Sequence, residues 1–170
     1  MPMEQVLQQT AYITGRLLSA RGLRMATAES CTGGGVAHAL TSIAGSSQWF
    51  ECGFVTYSNE SKQQMLGVAE PLILEHGAVS DAVVQQMSRG AVENSQADVA
   101  VAISGIAGPD GGSTEKPVGT VWFSWYIAPD NEWWSECCHF EGDRASVREQ
   151  AVLYALEGLN EQLEGIGFET

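Results

Sequence analysis

Thr27-Ala28-Glu29-Ser30-Cys31-Thr32-Gly33-Gly34-Gly35 is the stretch around which this chain is organised. Before it, Leu23 to Ala26 is a short apolar-leaning run that reads as a strand. After it, Val36, Ala37, Leu40 and Ile43 recur at helical spacing. Ser30 is therefore expected where a strand turns into a helix. Its hydroxyl is a candidate nucleophile, and the N–H groups at a helix start can hold a developing negative charge. Three successive glycines let backbone approach a ligand with no Cβ in the way. The same features describe a Gly-rich turn that only holds a phosphate, and this stretch alone does not separate the two readings.

Working outward, Val6, Leu7, Ile13, Leu17 and Leu18 form one face of a helix from about Met3 to Ala20, with Gly22 as its stop. Gly45-Ser46-Ser47 ends the short helix that follows the Ser30 turn. Trp49 to Tyr57, aromatic and β-branched, reads as a strand. Ser58 or Asn59 then caps a helix carrying Lys62, Met65 and Leu66. Pro71 to His76 reads as a short helix ended by Gly77. Ser80 and Asp81 open another, with Val83, Val84, Met87, Ala91 and Val92 inward. Asp98 to Ile103 is a continuous apolar run, the pattern of a strand covered on both faces. Ser104 to Gly119 is a long loop rich in glycine, of the kind that carries function in compact domains. Thr120 to Ala128 and Glu132 to Phe140 are strands joined at Pro129-Asp130-Asn131. A last helix begins near Asp143 and turns Val147, Ala151, Tyr154, Ala155, Leu159 and Leu163 inward.

Helices alternate with strands and one hairpin interrupts them. The expected fold is α/β: a three-layer α/β/α single domain over residues 1–170 with a mixed sheet. In such sheets ligands bind beyond the strand ends. The Ser30 turn, the Tyr57–Lys62 segment and the Ser104–Gly119 loop all follow strands, so they are expected to converge on one pocket.

Composition narrows the function. With 170 residues and 44% apolar content the chain can bury a real core. A net charge of −13, from eight basic and 21 acidic residues, opposes nucleic-acid binding, which needs a basic face. A small anion held by one or two local cations is still compatible. Cys31, Cys52, Cys137 and Cys138 show no CxxC spacing, so reduced thiols in a cytoplasmic protein are expected. Met1 to Thr10 has no apolar core of a signal peptide, and no run approaches membrane-spanning length.

A serine needs a base to take its proton. His38, His76 and His139 have no motif around them and read as structural or surface residues. Lys62, one of two lysines beside Lys116, is the better candidate, because burial would lower its pKa and free the neutral amine. Tyr57, at the end of the preceding strand, can orient that lysine or donate a hydrogen bond. Cys31 is a rival nucleophile, since a thiolate needs less activation. The neighbouring Ser30 and Cys31 side chains cannot both enter one pocket, and the sequence does not decide between them. Glu29, Asp110 and Glu115 have no paired-carboxylate spacing for magnesium and read as solvated charges.

Five segments carry a resemblance: Thr27-Ala28-Glu29-Ser30-Cys31-Thr32-Gly33-Gly34; Gly53-Phe54-Val55-Thr56-Tyr57-Ser58-Asn59-Glu60 with Lys62; Gly77-Ala78-Val79-Ser80; Ser104 to Gly112 with Lys116 to Val121; and Gly142-Asp143-Arg144 with Val147-Arg148. In this order, from about residue 5 to 160, the chain closely resembles the CinA C-terminal-domain family, the stand-alone nicotinamide-nucleotide amidohydrolases. The resemblance implies hydrolysis of the carboxamide of nicotinamide mononucleotide to nicotinate mononucleotide and ammonia, in bacterial pyridine-nucleotide salvage. It implies no metal and no other cofactor, Ser30 as nucleophile, Lys62 as its base, and motif matches at Tyr57 and Arg144. Thr32, Gly33, Gly34, Ser104, Gly105 and Arg144 are the expected substrate-binding positions. The expected partners are a small nucleotide substrate and further copies of the chain in a homo-oligomer, with no nucleic acid or membrane. Two-domain CinA proteins carry an additional N-terminal domain, and no activity of that domain is implied.

Overall fold

The computed structural model describes residues 1–167, so the last three residues of the expected domain lie outside the described residues. The elements in order are α1 (Met3–Arg21), β1 (Met25–Glu29), α2 (Gly35–Thr41), β2 (Phe50–Val55), α3 (Asn59–Leu66), α4 (Glu70–His76), α5 (Asp81–Glu93), β3 (Val99–Gly105), β4 (Thr120–Ile127), β5 (Glu132–His139) and α6 (Arg144–Gly167). The five strands form one mixed sheet in the order β2-β1-β3-β4-β5. β1 pairs in parallel with both β2 and β3, and β4 and β5 continue the sheet antiparallel. The architecture is the expected three-layer α/β/α.

Two apolar cores flank the sheet. On one side, residues of α1, α2 and α6, among them Leu18, Leu40, Val147 and Leu159, pack on Met25, Val101 and Phe123. On the other, Leu66, Ile73, Val83 and Met87 of α3, α4 and α5 pack on Ala26, Ala28, Ala100 and Ala102. The two sets alternate along β1 and β3 because successive strand side chains point to opposite faces. Small alanines face α5, which lets that helix approach the sheet closely.

Several boundaries differ from the sequence reading, among them β2, which spans Phe50–Val55 and stops two residues short of the expected Tyr57. β1 begins at Met25 and runs on to Glu29, whereas Leu23 to Ala26 was the expected strand. Thr27 and Glu29 look polar in sequence, but all of β1 is buried between two parallel neighbours, and the ladder extends through them. β3 likewise takes in Ser104 and Gly105, the first two residues of the expected loop, since their backbone pairs with Trp122 and Val121 of β4. The caps follow expectation. Gly22 adopts a left-handed conformation after α1, Ser58 Oγ accepts from Ser61 N at the start of α3, and Ser80 Oγ accepts from Val83 N at the start of α5.

The topology creates a crevice. From β1 the chain moves to β2 on one side, then crosses to β3 on the other. The carboxyl ends of β1 and β3 are thus a switch point, where open α/β sheets bind ligands. The 106–119 loop leaves β3 at this same end, and β5 delivers the start of α6 to it.

Candidate active site

Ser30 is the first residue beyond β1, and its N–H still bonds the carbonyl of Ile103 at 3.0 Å, continuing the ladder. Strand alternation therefore still governs its direction. Ser30 follows Ala26 and Ala28 toward the α3–α5 side, whereas Cys31 follows Met25 into the core of the α1, α2 and α6 side. This alternation places the Ser30 side chain, and not that of Cys31, on the face of the sheet that carries Lys62. Burial, followed by the charge of Glu29, also raises the Cys31 thiol to about 11, so it stays protonated at neutral pH.

Lys62 comes from α3 and is only 1% exposed. Its Nζ lies 3.2 Å from Ser30 Oγ, 2.8 Å from the carbonyl of Thr56 and 3.3 Å from the carbonyl of Tyr57. Burial holds its pKa below the usual lysine value. A neutral amine has two N–H groups and one lone pair. The two carbonyls can take both N–H groups, which leaves the lone pair facing the Ser30 hydroxyl. The Tyr57 side chain plays no part in this contact. Tyr57 lies past the end of β2, 61% exposed, and only its carbonyl reaches the lysine.

The turn after Ser30 is held by a residue read in sequence as a solvated charge. Glu29 is fully buried. Its carboxylate accepts from Thr32 Oγ1 at 2.6 Å, Val36 N at 2.9 Å and Ala37 N at 3.1 Å. Gly34, the N-cap of α2, has no side chain to do this, so the strand supplies the cap. This capping limits which N–H groups can stabilise a negative charge. The first N–H groups of α2 are already occupied, and Gly33 N–H bonds the Ser30 carbonyl at 3.0 Å. Among the described residues, the N–H groups of Thr32 and Gly34 make no hydrogen bond. The glycines are needed for the turn itself: Gly33 and Gly34 have φ of 59° and 98°, and a Cβ on Gly35 would come 2.9 Å from Val152 of α6.

The other expected positions lie around this centre. Ser104, 1% exposed, is the penultimate residue of β3, beside the Ser30 turn. A Cβ on the adjacent Gly105 would meet Val121 Cγ2 at 2.7 Å, so glycine there serves strand packing. Thr32 is buried, and its hydroxyl is committed to Glu29. Asp143 Oδ1 accepts from Ser146 N and caps α6, which puts Arg144 in the first turn as expected. Arg144 pairs with neither Glu29 nor Glu141. It donates to the Gly108 carbonyl at 2.7 Å and to Tyr57 Oη at 2.8 Å, tying the segment after β2 to the loop after β3 across the crevice mouth.

His38, His76 and His139 are exposed and none of them bonds Ser30. Lys116 Nζ donates to the His76 carbonyl, fastening the long loop to the end of α4. All four cysteines are free. Among the described residues no group of three His, Cys, Asp or Glu side chains could hold a metal ion, and no helix is long and apolar enough to cross a membrane.

Two residues at the site were missed as contributors. Glu29 was one; the other is Arg148, whose Nε donates to the Cys31 carbonyl at 3.1 Å and whose Nη2 donates to the Thr32 carbonyl at 3.4 Å. A signal existed for the second: Arg144 and Arg148 are two like charges one helical turn apart at a helix start, which the helix by itself disfavours.

The CinA C-terminal domain family model matches residues 7–163. The chain is 58% identical over 157 residues to nicotinamide-nucleotide amidohydrolase PncC of Shigella flexneri, covering 92% of this chain and 94% of that protein. It is 56% identical over 136 residues to the PncC of Pseudomonas putida, covering 80% and 84% respectively. Among solved structures, the competence damage-inducible protein A (ComA) of Klebsiella pneumoniae superposes with a TM-score of 0.89 at 42% identity, covering 93% of this chain and 97% of that one. With a shared fold and a matched length that includes every site residue described above, the chain belongs to the CinA C-terminal domain family.

Proposed function

We propose that this protein hydrolyses the carboxamide of nicotinamide mononucleotide to nicotinate mononucleotide and ammonia, in the cytoplasm, as a step of pyridine-nucleotide salvage. The observation that carries the chemistry is the buried Lys62 Nζ at 3.2 Å from Ser30 Oγ, with two carbonyls holding its other sides. The substrate is taken from the relatives named nicotinamide-nucleotide amidohydrolase, at 58% and 56% identity.

Ser30 Oγ attacks the amide carbon while Lys62 accepts its proton. The free N–H groups of Thr32 and Gly34 bind the oxyanion that forms. The carbon–nitrogen bond then breaks, and the Lys62 ammonium gives its proton to the leaving nitrogen, releasing ammonia. An ester to Ser30 remains. Water attacks it, Lys62 takes the water proton, and the carbon–Oγ bond breaks with the proton returned to Oγ. The net change is amide plus water to acid plus ammonia, and no step calls on a metal. Arg144, at the crevice mouth, binds the substrate phosphate with a guanidinium fork. Tyr57 lines the same mouth and supplies one of the carbonyls that orient Lys62.

Incubation with nicotinamide mononucleotide is expected to release ammonia and nicotinate mononucleotide in equal amounts, and Ser30→Ala is expected to abolish both while the substrate still binds. Binding without turnover by the unaltered protein would instead establish a non-catalytic nucleotide-binding module built on the same glycine loops.

A further inference from the structure

We infer that Arg148 is a positioning residue for the amide hydrolysis proposed above: it holds the peptide between Cys31 and Thr32 so that the Thr32 N–H points at the oxyanion. The inference rests on that functional reading. The only cis peptide bond among the described residues is Gly108–Pro109, so the Cys31–Thr32 peptide is trans. In a planar trans peptide the C=O and the following N–H point in opposite directions. Arg148 Nε takes the Cys31 carbonyl at 3.1 Å from α6. α6 packs on the face of the sheet that buries Cys31, opposite the face toward which Ser30 turns. Fixing the carbonyl toward α6 therefore directs the Thr32 N–H toward Ser30 and Lys62.

Three further details fit a built clamp. The same guanidinium reaches the next carbonyl, of Thr32, at 3.4 Å, so both peptides are held as a fork holds two acceptors. Gly33 leaves the room for it: a Cβ there would lie 3.1 Å from Arg148 Nη2. The Thr32 hydroxyl is tied to Glu29 from its other end, so the residue cannot rotate its N–H away. A cation on the carbonyl also polarises the peptide and makes its N–H a better donor, which matters most as negative charge develops on the substrate. Arg148 is thus distinct from Arg144, which faces the crevice mouth and is exposed.

The test compares Arg148→Ala and Arg148→Lys with the unaltered enzyme on nicotinamide mononucleotide. Arg148→Ala is expected to lower kcat about 100-fold, the order found when one oxyanion donor is lost, with KM within threefold. Arg148→Lys, which keeps the charge but not the fork, is expected to fall between the two. The pH midpoint of the rate is expected to stay where it is, because Arg148 does not touch Lys62. Added guanidinium ion is expected to restore Arg148→Ala at least several-fold, a response that a purely structural role would not give. If Arg148→Ala does not fold, Arg148→Lys carries the kcat-against-KM comparison alone. A variant with unchanged kcat, a loss confined to KM, a shifted pH midpoint, or a folded Arg148→Ala with no guanidinium rescue overturns the inference. The two possible failures are distinguishable: an unaltered protein that releases no ammonia overturns the amidase reading, whereas an active one with any of those variant results overturns only the role of Arg148.

Discussion

Replacing Glu29 with glutamine keeps the shape of the side chain and removes its ability to accept on one oxygen. In the native protein Oε1 accepts from Thr32 Oγ1 and Val36 N, and Oε2 accepts from Ala37 N. With the amide oxygen placed at Oε1, the first two bonds survive but lose their charge assistance. The amide nitrogen then faces the Ala37 N–H, donor against donor. A hydrogen bond to a charged group contributes roughly 1.5–3 kcal/mol and a neutral one roughly 0.5–1.5, while a stranded donor costs roughly 1–3. The variant has no carboxylate to take out of water on folding, which offsets part of this. The net loss is expected to be roughly 2–4 kcal/mol, and for Glu29→Ala, which removes both acceptor oxygens and so all three hydrogen bonds, roughly 3–5. At about 2–4 °C per kcal/mol for a chain of this size, Glu29→Gln should lower Tm by about 10 °C. Denaturant unfolding gives the free energy, and a thermal melt followed by far-ultraviolet dichroism gives the Tm. Turnover should fall as well, because the same carboxylate fixes the turn that presents Ser30 and the Thr32 N–H. A Glu29→Gln protein within about 0.5 kcal/mol of the native one, the range of an ordinary surface change, would refute the cap and the geometry derived from it.

Lys62→Arg should be nearly as inactive as Lys62→Met, since arginine cannot release its proton, and an active Lys62→Arg enzyme would remove lysine as the base. Burial lowers the folded pKa of Lys62 below 10.5, so the unfolded chain binds more protons between the two values, and stability should rise with pH through that window. Lys62→Met should accordingly be more stable than the native protein at neutral pH, with the gain fading toward pH 10.5; an unchanged denaturant midpoint at pH 7 would contradict the desolvation argument. Arg144→Ala should raise KM for nicotinamide mononucleotide by tenfold or more with a smaller loss in kcat, and should barely alter the weak activity expected on nicotinamide riboside; equal effects on the two substrates would show that Arg144 does not read the phosphate. Cys31→Ala should retain substantial activity, and Cys31 in the folded protein should resist alkylation at pH 8, because its thiol is held near 11; rapid labelling of Cys31, mapped by peptide mass, would contradict its burial.

Much of the site could be read from residue types in order. The apolar period of α5, the unbroken run in β3 and the turn residues at Pro129-Asp130-Asn131 each obey local rules, because backbone geometry alone sets the spacing of buried side chains; the face of α1 does not follow its apolar residues, since Ile13 is 43% exposed while Ala11, Thr14, Gly15 and Leu18 are buried. The caps Ser58, Ser80 and Asp143 are equally local, since each bonds an N–H within three residues. Ser30 and Lys62 were legible as candidates for the same reason: a glycine-rich turn after a strand, and a rare lysine after another strand.

What joined them was tertiary. The side of the sheet to which Ser30 turns depends on how far β1 extends, and that follows from burial between β2 and β3, not from the polar residues of β1 itself. The 3.2 Å contact between Ser30 and Lys62 spans 32 residues, and the contacts of Arg148 with the turn span 116 and 117. Glu29 reads in isolation as a solvated charge, because nothing local reveals that a helix start will pack over it. A carboxylate surrounded by three donors is stable where one surrounded by apolar groups is not, and only the packing of α2 against β1 decides which of these it is. The sequence by itself determined the elements and the chemical groups available to the site; the folded sheet decided which of those groups meet, because hydrogen bonds between distant segments exist only after the strands have been set in register.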